Sequence, residues 1–137
     1  MSPTHSANRL LPSLLSTLPS TVALPTYNHA QLKTGIVHLG VGAFHRGHQA
    51  WYTEAVLNAK GGAWGILGVS LRSDQMQRQL CPQSGLYTLV QRHGASVTRQ
   101  IIGAIQNVLA APADNDRIIK AIAAADTHIV SLTITEK

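Results

Sequence analysis

A chain of 137 residues with 45% apolar and 12% charged side chains has room for one folded domain, and its apolar share excludes wholesale disorder. Its single cysteine, Cys81, cannot close an intrachain disulfide, which excludes a disulfide-stapled secreted scaffold and points to a reducing, cytoplasmic setting. The formal charge of +5 arises from 11 Lys and Arg against 6 Asp and Glu, yet no two basic residues are adjacent. One Phe, two Trp and three Tyr form no basic–aromatic run on which bases would stack, so no nucleic-acid partner is expected. No apolar run approaches the roughly 18–20 residues of a membrane-spanning helix, so no membrane partner is expected either.

Residues 1–34 read as an amino-terminal arm. Pro3, Pro12, Pro19 and Pro25 break any long helix and leave space for a short one near Arg9–Leu18. The arm contains no acid, but Arg9 is its one basic residue before Lys33, which is too few for a transit peptide. From residue 35 to residue 137 the pattern becomes that of an α/β sheet. Ile36-Val37-His38-Leu39 is a short apolar run entering a glycine turn, the form of a strand buried on both faces.

Phe44–Lys60 is predicted as one helix with an apolar stripe of Phe44, Trp51, Ala55, Val56 and Ala59, ended by Gly61-Gly62. Trp64–Leu71 is a second strand, and Ser73 is expected to cap a short helix that runs through Leu80 and stops at Pro82. Leu86–Arg92 and Val97–Ile102 read as two strands joined at residues 93–96 in a hairpin. Asp114–Ala125 reads as a helix burying Ile118, Ile119, Ile122 and Ala125, and His128–Thr135 as a final strand. This alternation predicts a mostly parallel sheet with flanking helices and right-handed crossovers.

The informative stretch is Gly40-Val41-Gly42-Ala43-Phe44-His45-Arg46, between the first strand and the first helix. Gly40 suits a tight strand-to-helix turn, Gly42 lets a diphosphate approach the backbone, and the following helix presents unpaired N–H groups. Two features depart from the dinucleotide-binding fingerprint. His45 occupies the third glycine position, and the expected acid after the second strand comes late, as Asp74. Asp74 is a candidate for a ribose hydroxyl, while Arg72 could face a 2′-phosphate instead, so NAD and NADP both stay open.

Other nucleotide chemistries lack their residues. Gly42 and Gly47 have P-loop spacing, but His48-Gln49 follows where Lys-Ser/Thr is needed. His38 stands where a methyltransferase would carry an acid. No Tyr-x-x-x-Lys occurs, since Gln31, Val56 and Gln91 stand four residues after Tyr27, Tyr52 and Tyr87. His45 and His48 are three apart, but no third ligand follows at helical spacing, so no metal is expected.

The run Gly35-Ile-Val-His-Leu-Gly-Val-Gly-Ala-Phe-His-Arg-Gly-His-Gln-Ala50 resembles the amino-terminal domain of the mannitol dehydrogenase family. These are polyol-specific long-chain dehydrogenases that include mannitol 2-dehydrogenase and fructuronate reductase. Trp64-Gly65-Ile66, Gly85-Leu86-Tyr87-Thr88-Leu89 and Ile129–Lys137 extend the likeness from about residue 23 to the last residue. The resemblance implies an α/β, Rossmann-type domain binding NAD, with Gly40, Val41, Gly42, Ala43, Phe44, His45 and Arg46 as the diphosphate-binding turn and Asp74 as the adenosine-ribose ligand.

It further implies zinc-independent hydride transfer to or from an open-chain sugar alcohol or sugar acid. A lysine acting as general acid/base and the Asn and His that hold the oxygen belong to a second, mostly helical domain in this family. None has a matching position here, so no catalytic residue is assigned. The expectation is of an incomplete sheet, missing that carboxyl-terminal domain, with apolar faces exposed. Such a chain is expected to turn over no substrate alone and to hold NADH weakly. The alternative is a free-standing nucleotide-binding remnant without catalysis.

Overall fold

The computed structural model describes residues 9–135, so the first eight residues of the arm and the Glu136-Lys137 end of the last family-like motif lie outside it. In chain order the elements are β1 (Val22–Ala23), β2 (Thr34–Leu39), α1 (Ala43–Gly47), α2 (Gln49–Lys60), β3 (Gly65–Ser70), α3 (Gln75–Leu80), β4 (Tyr87–His93), β5 (Ser96–Ile102), β6 (Ile105–Ala110), α4 (Asn115–Ala123) and β7 (Ile129–Leu132). A 3₁₀ turn at Pro12–Thr17 replaces the short helix expected in the arm.

Four parallel strands form the main sheet in the order β6-β3-β2-β7. The chain leaves β2 toward β3 and β6 on one side, then returns through α4 to place β7 on the other. Ligand crevices of open α/β sheets form where the connections part in this way. β2 is paired on both edges and buried on both faces: Ile36 packs with Ala50, Leu57, Ile66, Ile105 and Val108, and Val37 packs with Val69, Leu109 and Ile118. A second sheet, β1-β5-β4, carries the predicted hairpin, with Tyr87 opposite Ile102 and His93 opposite Ser96.

Several sequence expectations are corrected. The helix predicted over Phe44–Lys60 is broken at His48, whose φ of −125° and ψ of −82° leave the helical region, giving α1 and α2. Its stripe is also displaced: Phe44 and Val56 are exposed, and α2 buries Ala50, Thr53, Glu54 and Leu57. Only Ile118 of α4 is buried, Ile119 being 63% exposed. The N-cap residue of α3 is Asp74, whose side chain makes no capping bond, while the Ser73 hydroxyl accepts the Gln75 N–H at 3.5 Å.

β6 has no counterpart in the sequence reading. Gln106-Asn107 interrupts its apolar run, and the ladder with β3 slips by one residue there, pairing Ile105 with Ile66 but Asn107 with Leu67. The extra residue, Gln106, receives the Thr34 hydroxyl at 2.8 Å and donates to the Leu32 carbonyl, tying β6 to the start of β2.

Glu54 is fully buried and holds the arm to the sheets. Its Oε2 accepts the Tyr27 hydroxyl at 2.7 Å and the Gly103 N–H at 3.0 Å. Burial pushes the Glu54 carboxyl above its ordinary range, and burial with the Glu54 hydrogen bond raises the Tyr27 phenol as well.

Gly85, opening the Gly-Leu-Tyr motif, has φ +76°, and a Cβ built on it would collide with the Ile105 carbonyl at the start of β6. Both the backbone conformation and the backbone contact forbid a side chain. Gly85→Ala is expected to cost about 2–4 kcal/mol of stability. Urea unfolding would show this as a lowered midpoint, and an unchanged midpoint would contradict it.

Candidate functional site

The carboxyl ends of β2, β3 and β7 enclose a crevice of about 590 Å³. The glycine turn forms one wall, from Leu39 to Gly42. Ser70–Ser73 and Met76 form a second, and Leu132–Thr135 a third. The crevice lies at the sheet's switch point, between strands whose connections run in opposite directions.

The turn's shape has local causes. Gly40, with φ +103°, receives no steric penalty in a conformation that L side chains avoid. Its N–H donates to the Val69 carbonyl, and its own carbonyl accepts the Gly42 N–H, both at 2.8 Å. Val41 is buried against Gly68, where a Cβ would strike the valine methyl, so β3 carries glycine opposite the turn. Gly42 differs from these. Its φ of −99° suits any residue, and a Cβ there would meet nothing within 4 Å.

The predicted site residues fall into three groups. Gly40, Val41 and Gly42 line the crevice, whereas Ala43, Phe44, His45 and Arg46 form α1 beside it. Phe44 is exposed and stacks on His48 with ring centroids 4.3 Å apart, and the His48 Nδ1–H donates to the Phe44 carbonyl at 2.8 Å. Arg46 Nε donates to the Gly42 carbonyl at 3.3 Å, and the Arg46 carbonyl accepts the Tyr87 hydroxyl at 2.6 Å. Asp74 is exposed and ion-paired with Arg78 at 3.1 Å; its neighbours Arg72 and Ser73, not Asp74 itself, line the crevice. Among the described residues no three His, Cys, Asp or Glu side chains are grouped to hold a metal.

A buried polar group beneath the turn escaped the sequence reading. His38 projects from β2 and stacks on His45 of α1, with centroids 3.7 Å apart and ring planes at 11°. Its ring nitrogens lie 2.8 Å from Ser131 Oγ, 3.0 Å from Thr133 Oγ1 and 3.2 Å from the Gly40 carbonyl. His45 Nδ1 meets Gln49 Oε1 at 3.0 Å, and Gln49 Nε2 donates to Ser131 Oγ at 3.1 Å. The available signal was one of pattern: a histidine in an apolar strand, with hydroxyl residues at alternate positions of another strand. Pairing β2 with β7 in the register that sets His38 opposite Ser131 turns that pattern into a network.

Burial dominates the charge behaviour of both rings. It lowers the His38 pKa from 6.5, and together with the neighbouring His38 it brings His45 down to about 4.

Crevice, turn and strand order define a Rossmann-type nucleotide fold. The family model for the mannitol dehydrogenase Rossmann domain matches residues 34–137, and the chain belongs to that family. Its sequence is 47% identical over 123 residues to an Escherichia coli protein described as uncharacterized oxidoreductase YeiQ, covering 88% of this chain and 25% of the relative. It is 41% identical to a mannitol 2-dehydrogenase of Pyricularia oryzae, covering 85% of this chain and 24% of that protein. Among solved structures, the Pseudomonas fluorescens mannitol 2-dehydrogenase ternary complex with NAD and D-mannitol superposes with a TM-score of 0.87 at 39% identity, covering 92% of this chain and 26% of the other. A substrate-free D-sorbitol dehydrogenase gives a TM-score of 0.84 at 36% identity, covering 93% and 27%. The chain thus spans about a quarter of the length of these relatives.

Because the folded His45 takes its proton near pH 4 and the unfolded one near 6.5, the unfolded state binds more protons in between. Stability is therefore fully present above pH 6.5 and declines as pH falls toward 4, by about 3 kcal/mol from this residue. His38 acts in the same direction and Glu54, with its raised pKa, in the opposite one. His45→Asn keeps an N–H for Gln49 and removes the titration. Urea unfolding across this range should show a flatter pH dependence in that variant, and identical slopes would refute the assignment.

Proposed function

We propose that this chain is the NAD-binding part of a mannitol 2-dehydrogenase/fructuronate reductase-like oxidoreductase, which transfers hydride between NAD(H) and an open-chain polyol, ketose or uronate. The division into an arm (1–34) and a nucleotide-binding domain (35–137) belongs to the same reading, as does a cytoplasmic setting. Among the described residues no helix is long and apolar enough to cross a membrane.

The observation that carries the reading is Gly42. The fold makes no demand for glycine there: the backbone conformation is open to any residue, and the space a Cβ would take is empty. That space opens on the crevice at the switch point of the sheet. A glycine that the protein's own packing does not require leaves its backbone bare for a ligand, the need of a diphosphate at a strand-to-helix turn. The dinucleotide named in the Pseudomonas fluorescens complex is of this chemistry, and the superposition supports the transfer.

In this reading Gly40, Val41, Gly42, Ala43, Phe44, His45 and Arg46 hold the diphosphate. Val41, packed on Gly68, keeps the turn pressed to the sheet, and Tyr87 holds the carbonyl of Arg46. Asp74 takes the adenosine ribose, for which it must leave or share Arg78. Arg72 lines the crevice wall and is the candidate to face a 2′-phosphate, which keeps NADP as a second coenzyme to test. The nicotinamide coenzyme supplies the hydride-accepting ring. The residues of this chain bind and orient it, and none is assigned as catalytic. Groups that hold the sugar oxygen and move its proton are assigned to the part of the longer relatives beyond this quarter.

Titrating NADH to millimolar concentration into the isotope-labelled chain should shift the amide resonances of residues 40–46. Gly42→Val should unfold within about 0.5 kcal/mol of wild type, as a side chain in open space does, yet weaken NADH at least about tenfold by filling its place. Equal affinity in the two proteins would overturn the assignment. For coenzyme choice, Asp74→Ala should weaken NADH more than NADPH, and Arg72→Ala the reverse. The chain alone should leave mannitol and fructuronate unreacted in an NAD(H) absorbance assay.

A further inference from the structure

We propose that His38 and His45 are positioning residues for the crevice: a directed hydrogen-bond chain, starting at the Gly40 carbonyl and ending in the His45 ring, holds the glycine turn and the end of β7 together. The functional part of this proposal rests on the crevice being the coenzyme site.

The direction of the chain follows from its first acceptor. The Gly40 carbonyl can only accept; it takes the Gly42 N–H at 2.8 Å and faces His38 Nε2 at 3.2 Å. His38 Nε2 therefore carries the proton, and the same N–H reaches Thr133 Oγ1 at 3.0 Å. Gly40 and Thr133 are two opposing parts of the crevice wall, so one imidazole N–H spans both. A neutral ring then has Nδ1 as an acceptor, and the Ser131 hydroxyl donates to it at 2.8 Å. With its one proton so used, Ser131 Oγ accepts from Gln49 Nε2 at 3.1 Å, and its 3.2 Å approach to Gln49 Oε1 carries no hydrogen. Gln49 Oε1 can only accept, so across its 3.0 Å contact with His45 it is Nδ1 that holds the proton.

The two rings are thus opposite tautomers, Nε2–H on His38 and Nδ1–H on His45. His45 Nε2 is left a bare acceptor, in agreement with its being buried without a partner among the described residues. The stack excludes a doubly charged pair, since two imidazolium rings 3.7 Å apart would place like charges face to face in a buried site. Burial and the nearby Arg46 guanidinium both disfavour a charge on His45. Mechanically, the stack braces α1 against β2. The chain fixes the Gly40 carbonyl inward, which sets the turn that Gly42 presents to the crevice.

Long-range ¹H–¹⁵N correlation spectra of the 137-residue chain, labelled at histidine, read the tautomers without any substitution. At neutral pH His38 should show the Nε2–H pattern and His45 the Nδ1–H pattern. Either ring charged, or both rings in one tautomer, overturns the chain. His38→Gln places an amide N–H where Nε2 stands, and His38→Phe keeps the stack without it. The Phe variant should move the Gly40, Gly42 and Thr133 amide resonances together and weaken NADH about tenfold. The Gln variant should restore affinity to within about threefold of wild type. A merely space-filling role predicts that Phe is the better substitute, and that outcome also overturns the proposal. Should NADH move no resonance of residues 40–46 in the wild type, the coenzyme reading fails, while the tautomers and the Gly40–Thr133 shifts still decide the positioning chain.

Discussion

Every other feature of this fold depends on β2 being enclosed. The strand is hydrogen-bonded to β3 on one edge and β7 on the other, and it buries residues of both pleat faces. An enclosed parallel strand has no freedom to slip, because a shift of one residue would exchange its two buried faces. The position of its carboxyl end is fixed by that constraint, and with it the turn at Gly40–Gly42. Crevice, histidine stack and arm are arranged around an end that cannot move.

Enclosure also explains how a polar residue survives at the centre of the sheet. His38 lies on the same strand face as Ile36, and an unpaired imidazole there would be costly. Its partners come from three separate parts of the chain: Ser131 on β7, Thr133 just after it, and the Gly40 carbonyl at the turn. With both His38 nitrogens partnered, this network specifies one arrangement of the elements it joins, whereas an apolar contact would tolerate several. Glu54 performs a similar task on α2. It collects the Tyr27 hydroxyl from the arm and the Gly103 N–H from the β5–β6 connection, so that the arm is tied where two sheets meet.

The outer elements are held less completely. β7 pairs with β2 on one side, and Ile129, Val130 and Leu132 are each more than 40% exposed. Ile119 and Ile122 of α4 are exposed as well, although their spacing with Ile118 is that of a buried helix face. Exposed apolar faces of this kind were expected from the sequence. The stabilising interactions are concentrated on the β6-β3-β2 side, where both core clusters lie.

Most of the architecture was written in local pattern. The apolar run at Ile36–Leu39, the paired glycines after it, the hairpin over residues 87–102 and the helix before the last strand all follow from periodicity and turn chemistry, which act over a few residues. So does the family likeness, because the turn motif is contiguous. What local pattern could not carry was anything decided between distant residues. β6 was hidden because Gln106 is a bulge residue whose bonds go to Thr34 and Leu32. The stripe of α2 was misplaced because an acid, Glu54, is buried by partners far away in sequence. Asp74 was legible as an acid after a strand, but its ion pair with Arg78 and its place outside the crevice lining were not. By itself the sequence determined the alternation of strands and helices around β2 and β3 and the presence of a nucleotide-type turn, since these need only near neighbours. Tertiary structure alone decided which polar groups are buried, which histidine nitrogen faces which oxygen, and that Gly42 is open where Gly40 is constrained, because each depends on strands brought side by side from opposite ends of the chain.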